Sequence, residues 1–204
     1  MRNKTYQDGP TYRPEPFDIP GPFDLFHGRY PHEYEGKMLT KDGTLICIRP
    51  IKPEDAPLLV QLFNSLSPAS VYFRFLRRLE SLPPEMVTYF TRIDYERDVA
   101  MVALKRTEHE EEMLGVCRIM RYPDSTKGEV AVVVADQWHG QGIGHSLLER
   151  SVRVALDLGM RSLWAIVSPE NTTVLSMAEK MGFTVRKDPE TDTYELEMDL
   201  APGQ

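Results

Sequence analysis

Three glycines at alternate positions, Gly140, Gly142 and Gly144, separate the apolar run VVVADQW (132–138) from the amphipathic run HSLLERSVRVALDLG (145–159). The first run reads as a buried strand and the second as a helix, so the glycines make a strand-to-helix turn. The first amides of a helix have no intrahelical acceptor, and together with the macrodipole they favour an anion. Glycine lets the backbone approach phosphate oxygens with no Cβ in the way. The spacing therefore suggests a phosphate cradle, with the backbone of Gln141 and Ile143 part of it. His145 and Ser146, at the helix start, either touch the same anion or face solvent. A tight turn that binds nothing is the competing explanation, and it needs fewer than three alternating glycines.

The turn does not suit a nucleotide. A P-loop closes on Gly-Lys-Ser/Thr, whereas Gly144 is followed by His145-Ser146, with no lysine to reach a terminal phosphate. A dinucleotide fingerprint, G-x-G-x-x-G, fails in both registers, because His145 and Leu147 occupy the required third glycine place.

The elements around the turn are those of a globular domain. The chain has 204 residues, 41% hydrophobic and 27% charged, which suits one domain plus an appendage. A net charge of −7 argues against a nucleic-acid partner. No run approaches the roughly 18 apolar residues of a membrane span, and the start, MRNKTYQDGP, lacks a signal-peptide core, so a cytoplasmic protein with no membrane partner is expected. Cys47 and Cys117 read as buried thiols. His27, His32 and His109 show no ligand spacing, and no metal is expected.

Residues 1–36 form an arm in which prolines alternate with aromatics (Tyr12, Phe17, Phe23, Phe26, Tyr30). Such an arm is extended, and its rings read as packing on the domain or on a neighbouring subunit of a homo-oligomer. The domain, residues 37–204, opens with a hairpin turned by Asp42-Gly43. A helix from Pro53 follows, then one capped by Ser67 with Pro68 at its first position, then a short one after Pro83-Pro84. Next come the strands DVAMVALK, EMLGVCRIM and GEVAVVVA, with the acidic tip TEHEEEM between the first two. After the glycine turn come helix, strand, helix and two strands. The fold class is α+β, with a mixed sheet flanked by helices.

HGQGIG, placed between VVVADQW and a helix, resembles the acyl-CoA pyrophosphate loop of the GNAT N-acetyltransferases, whose pattern is Arg/Gln-x-x-Gly-x-Gly/Ala. His139, Gly142 and Gly144 fill its fixed places. A second family element, a strand followed by Asn and a helix ending in Gly-Phe, is matched by LWAIVSPENTTVLSMAEKMGF, with Asn171 and Gly182-Phe183 in register. KDGTLICIRPIKPEDAPLL, SLSPASVYFRF, FTRIDYERDVAMVA and GEVAVVVADQWHGQGIG further resemble the acetyltransferase domain of bacterial Pat-type protein lysine acetyltransferases. With only the arm ahead of it, the chain reads as a stand-alone member if Met1 is its start.

The resemblance implies a GNAT fold, a mostly antiparallel twisted sheet of about six to seven strands. It implies acetyl-CoA as co-substrate and an amine acceptor, foremost a protein lysine. A free lysine has a pKa of about 10.4, so a base must remove its proton. Glu129 holds the family's general-base place. As the opening residue of an apolar strand it is either partly desolvated, which raises its pKa, or solvent-facing. Backbone amides of Val132, Val133 and Val134 hold the family's places for the thioester oxygen and pantetheine arm. Asn171 holds a coenzyme-orienting place and also reads as a helix N-cap. His139 stands where the family has arginine or glutamine, lacks the permanent charge, and makes coenzyme binding more pH-sensitive. The family's tyrosine general acid falls at Ala178, which leaves the coenzyme thiolate to take its proton from water. Cys117 has no paired histidine, so direct attack in a ternary complex is expected. Three rivals stay open: acetylation of a small amine, a non-catalytic acyl-CoA sensor, and an interaction module built on the arm.

Overall fold

The computed structural model describes residues 29–200, so most of the arm, including Tyr12, Phe17, Phe23, Phe26 and His27, lies outside it. The elements are β1 (Gly36–Leu39), β2 (Leu45–Pro50), α1 (Ala56–Ser65), α2 (Pro68–Phe75), α3 (Pro84–Thr91), β3 (Val99–Arg106), β4 (Glu111–Arg121), β5 (Lys127–Val134), α4 (Ile143–Asp157), β6 (Ser162–Val167), α5 (Thr172–Lys180), β7 (Thr184–Asp188) and β8 (Thr193–Asp199). The strands form one sheet in the order β1-β2-β3-β4-β5-β6-β8-β7. β5 and β6 run parallel, and the other neighbours are antiparallel. The α+β class is as expected, with eight strands in place of six to seven. The six to seven came from the family resemblance; β1, the four-residue edge strand of the expected Asp42-Gly43 hairpin, alternates between half-buried and exposed and pairs with β2. Among the described residues no helix is long and apolar enough to cross a membrane.

The sheet is covered on both faces, which is why β3 is buried at six successive positions and does not alternate. Val99, Met101 and Ala103 face a core shared with Leu147, Leu148 and Val154 of α4 and Ala178 of α5. Ala100, Val102 and Leu104 face a second core with Leu59, Leu62 and Phe63 of α1, Phe75 of α2 and Phe90 of α3.

Local chemistry fixes the joints. Arg49 donates two hydrogen bonds of 2.7 Å to the Asp55 carboxylate, and both side chains are buried. The Asp55 Oδ2 also accepts the Lys52 amide at 2.8 Å, so the pair pins the entry to α1 against β2. Removing one partner of such a pair leaves an uncompensated buried charge, at about 3–5 kcal/mol. α2 starts as its sequence predicts, with the Ser67 hydroxyl accepting the Ser70 amide at 3.2 Å and Pro68 in the first position. Tyr30 and Tyr34, at the end of the arm, are tied to the domain: their hydroxyls donate to the Pro50 carbonyl and the Asp157 carboxylate, each at 3.0 Å.

Candidate active site

β5 and β6 pair only at Lys127–Ser162, Gly128–Leu163 and Glu129–Trp164, although β5 runs on to Val134 and β6 to Val167. β5 stays paired with β4 as far as Val134–Gly115, so it is β6 that parts from it. The Ala135 amide donates to the Leu114 carbonyl at 2.8 Å. Antiparallel pairing alternates, so Ala131 and Val133 exchange hydrogen bonds with β4, and the peptide groups of Val130, Val132 and Val134 turn into the opening. The expected run of three free amides is thereby corrected: Val133 spends its backbone on Val116, because successive strand residues point their amides to opposite sides.

The opening widens into a cleft lined by Phe73 and Arg74 of α2, Glu129 to Val132 of β5, Trp164 to Val167 of β6, and Asn171, Val174 and Ala178 at α5. Glu129 sits at the apex, the last residue of β5 paired with β6. Strand alternation puts its side chain on the α1–α3 face with Ala131 and Val133. Burial pushes its carboxyl above the usual carboxylate range, and the positive charge of Arg74 offsets part of that shift. Of the two readings of Glu129, the partly desolvated one matches this placement.

The glycine turn divides into two kinds of glycine. Gly140 (φ 77°) and Gly142 (φ 88°) hold left-handed backbone, with open space where a Cβ would stand. Gly144 lies inside α4, where an added Cβ would sit 3.6 Å from Val134 Cγ2 and 3.7 Å from Met177 Sδ, at the seam between β5 and α5. The first helical bond runs from the Ser146 amide to the Gly142 carbonyl at 3.1 Å, so the amides of Ile143, Gly144 and His145 precede the ladder. The Ile143 side chain is core, 1% exposed, and only its backbone is available at the turn. Gln141 faces the β1–β2 hairpin: its carbonyl accepts the Lys41 amide at 3.3 Å and its Oε1 the Asp42 amide at 3.1 Å. His145 is exposed. The exposed His139 donates through Nε2 to the Val134 carbonyl at 2.9 Å.

Asn171 is the α5 cap, its Oδ1 accepting the Val174 amide at 3.3 Å, and it also lines the cleft. Ala178 is buried at the cleft wall. Cys117 is buried with its thiol pushed up to about 12, chiefly by desolvation, so it is a poor nucleophile; Cys47, expected buried, is half-buried.

Two residues of the site escaped the sequence reading. Asp136 accepts the Ser67 amide (2.9 Å), the Ser67 hydroxyl (2.7 Å) and the Ser70 hydroxyl (2.8 Å), and so binds the start of α2 to the segment entering the glycine turn. Burial raises its pKa, but these bonds and the charge of His139 outweigh it and hold the carboxylate below its ordinary range. Arg74 stacks over Phe75 at 4.9 Å beside Glu129. No local signal marks Asp136, because its partners lie 66 and 69 positions away.

The comparisons with known proteins agree with this geometry. Residues 46–184 match the acetyltransferase (GNAT) domain family. An acetyltransferase of Pseudomonas aeruginosa is 31% identical over 152 residues, 74% of this chain and 82% of that protein. The crystal structure of the GNAT domain of S. lividans PAT superposes with a TM-score of 0.77 at 29% identity, covering 84% of this chain and 100% of that one. The fold is also similar to yncA of Salmonella typhimurium, solved with its cofactor acetyl-CoA, at a TM-score of 0.62 and 17% identity over 78% of this chain and 95% of that one. The parting strands, the glycine turn feeding a helix and the half-buried Glu129 thus lie in a chain that is a member of the GNAT acetyltransferase family, the acetyl-CoA-dependent N-acetyltransferases.

Proposed function

We propose that this protein transfers an acetyl group from acetyl-CoA to the ε-amino group of a protein lysine, with Glu129 as general base. The observation that carries the reading is the parting of β5 from β6 immediately after Glu129, which puts a desolvated carboxyl and unpaired strand amides in one cleft. The likeness to the S. lividans PAT domain, over the whole of that chain, supports the lysine acceptor.

The residues present fit the co-substrate. The amides of Gly140 to His145 receive the pyrophosphate, with Gly144 giving it room, and the peptide groups of Val132 and Val134 receive the pantetheine arm and the thioester oxygen. Asn171 and His139 border the same path. Acetyl-CoA supplies an activated acyl carbonyl. Glu129, its basicity raised by burial, takes a proton from the incoming ammonium directly or through water. The neutral amine then attacks the carbonyl, whose oxygen the Val132 amide polarises. Ala178 offers no proton to the departing thiolate, so water relays to it the second proton that the nitrogen sheds as the amide forms. A direct route agrees with the burial of Cys117 away from the residues that line the cleft.

The test is calorimetric titration with acetyl-CoA, followed by incubation with a proteome and detection of acetyl-lysine. Micromolar or tighter binding with new acetyl-lysine bands that fade in Glu129→Gln is the expected result. Binding without acetylation of any amine would establish a sensor instead, and acetylation of small amines alone would move the acceptor class.

A further inference from the structure

Arg74 has a charge that the proposed transfer chemistry does not use. It projects from the last turn of α2 and lines two adjoining cavities, the cleft that holds Glu129 and a second one under α1 and α3. Its guanidinium lies over Phe75 (4.9 Å) and Phe90 (5.9 Å) with no hydrogen bond or ion pair among the described residues. Its neighbour Arg118, 3% exposed, is better served. Arg118 donates to the Phe90 carbonyl at 2.5 Å, lies over the rings of Tyr89 and Phe90, and is within reach of the Asp98 carboxylate.

Around Arg74 the charges are unbalanced. Arg118 repels it and Glu129 is the carboxylate that attracts it. When Glu129 takes a proton from an acceptor, that attraction disappears and two guanidiniums remain beside a desolvated site. Arg74 is half-buried over two rings with no carboxylate bonded to it, and guanidinium is the side chain best shaped to take a carboxylate entering the cleft through two parallel bonds. The pyrophosphate cannot be that partner in the proposed arrangement, since none of residues 139–144 lines either cavity. Downstream of Arg74, Arg77 and Arg78 extend the positive charge along the exposed rim of the same segment.

From this placement we infer that Arg74 is an acceptor-binding residue that selects amines carrying a carboxylate close by, foremost a lysine flanked by an acidic residue. The inference rests on the cleft being the acceptor site of the transfer proposed above. It deepens that reading by naming the acceptor's second recognition group.

The experiment uses paired lysine peptides that differ only by Glu or Gln beside the lysine, with one free amino acid and its amide as a second pair. Both kcat/KM with acetyl-CoA and the Kd of the peptides for protein preloaded with coenzyme A are measured, on wild type, Arg74→Gln and Arg74→Lys. The expected result is a Glu over Gln preference of about tenfold or more, the size of one buried charge pair, expressed mainly in KM and in Kd. Arg74→Gln should bring that ratio to about one, and Arg74→Lys should restore part of it, with the coenzyme dissociation constant and melting temperature reporting an intact fold. A wild type indifferent to the Glu/Gln exchange would overturn the inference. So would Arg74→Gln losing the same factor on both peptides, which would make Arg74 a positioning residue for Glu129. Acetylation of the free amino acid but of neither peptide, with preference for the free acid over its amide lost in Arg74→Gln, supports the Arg74 site while removing the protein-lysine reading. The binding measurement separates the two further, because it reads acceptor selection even if no transfer occurs.

Discussion

The two faces of the sheet build their halves of the cleft from different materials. On the α4–α5 side the proposed binding groups are backbone: the strand amides turned into the β5–β6 opening and, outside the cleft itself, the amides of the glycine turn. On the α1–α3 side they are side chains, Glu129 and Arg74, set among stacked aromatics beside Arg118. Main-chain donors need only that nothing obstruct them, so that half is encoded as small residues at fixed spacing. Side-chain groups need burial and neighbours from distant parts of the chain, so that half is encoded nowhere locally. Asp136 is the bridge, holding α2 of one face to the turn of the other.

The largest effect that would test this division falls at Glu129, on the side-chain half. Glu129→Gln keeps the shape and removes the basic site, so turnover should fall by roughly 10²–10⁴ while acetyl-CoA affinity holds within a factor of about two. The wild-type rate should rise with pH through the raised Glu129 pKa, since only the ionised carboxyl accepts a proton, and the variant should lose that limb. Linkage gives a second readout. An acid whose folded pKa is raised disfavours the native state above its unfolded pKa, because ionisation is easier in the unfolded chain, so Glu129→Gln should melt slightly higher than wild type at pH 7. Full activity in the variant at pH 7 would move the base elsewhere.

On the backbone half, Gly144→Val should raise the acetyl-CoA Kd at least about tenfold, or ~1.4 kcal/mol, by filling the seam beside Val134 and Met177. Gly142→Ala has open space but a φ of 88°, so it should act first on stability, by about 1–2 kcal/mol. Equal affinity and stability changes in the two variants would erase the distinction between the two kinds of glycine; titration calorimetry and thermal melts measure both.

Cutting the bridge should touch both halves modestly. Asp136→Ala removes three hydrogen bonds to a partly buried carboxylate and should destabilise by about 1–3 kcal/mol. Acceptor KM and coenzyme Kd should rise together. Because the folded pKa of Asp136 is depressed, its contribution is present above the unfolded value and lost as pH falls through the folded one, so variant and wild type should converge in acid melts. A change in acceptor KM alone would mean that the turn does not depend on α2.

The smallest effect belongs to His139, which is exposed. Its Nε2–H already serves the Val134 carbonyl, which leaves Nδ1 for the phosphate path. His139→Arg, which adds a permanent charge there, should tighten coenzyme binding by about two- to fivefold, the scale of an exposed charge contact. Unchanged affinity would remove His139 from the phosphate path.

What the sequence determined by itself follows from short-range rules. Alternate glycines after an apolar run, Ser67-Pro68 before a helix, Asp42-Gly43 between strands and Asn171 ahead of α5 each state a local geometry that needs no distant partner, and each is where the pattern put it. The family match followed from the same runs. Tertiary structure alone decided the rest. Which strand amides face the opening depends on pairing parity with β4, which is why Val133 is spent within the sheet while Val132 and Val134 are not. The side chain of Gln141 belongs to the hairpin because the β1–β2 turn comes to rest on it. Glu129 is a raised carboxyl beside an arginine only because β6 parts from β5 there and α2 covers the opening. Desolvation and charge act through space, and no spacing along the chain records which side chains the fold will bring within their range.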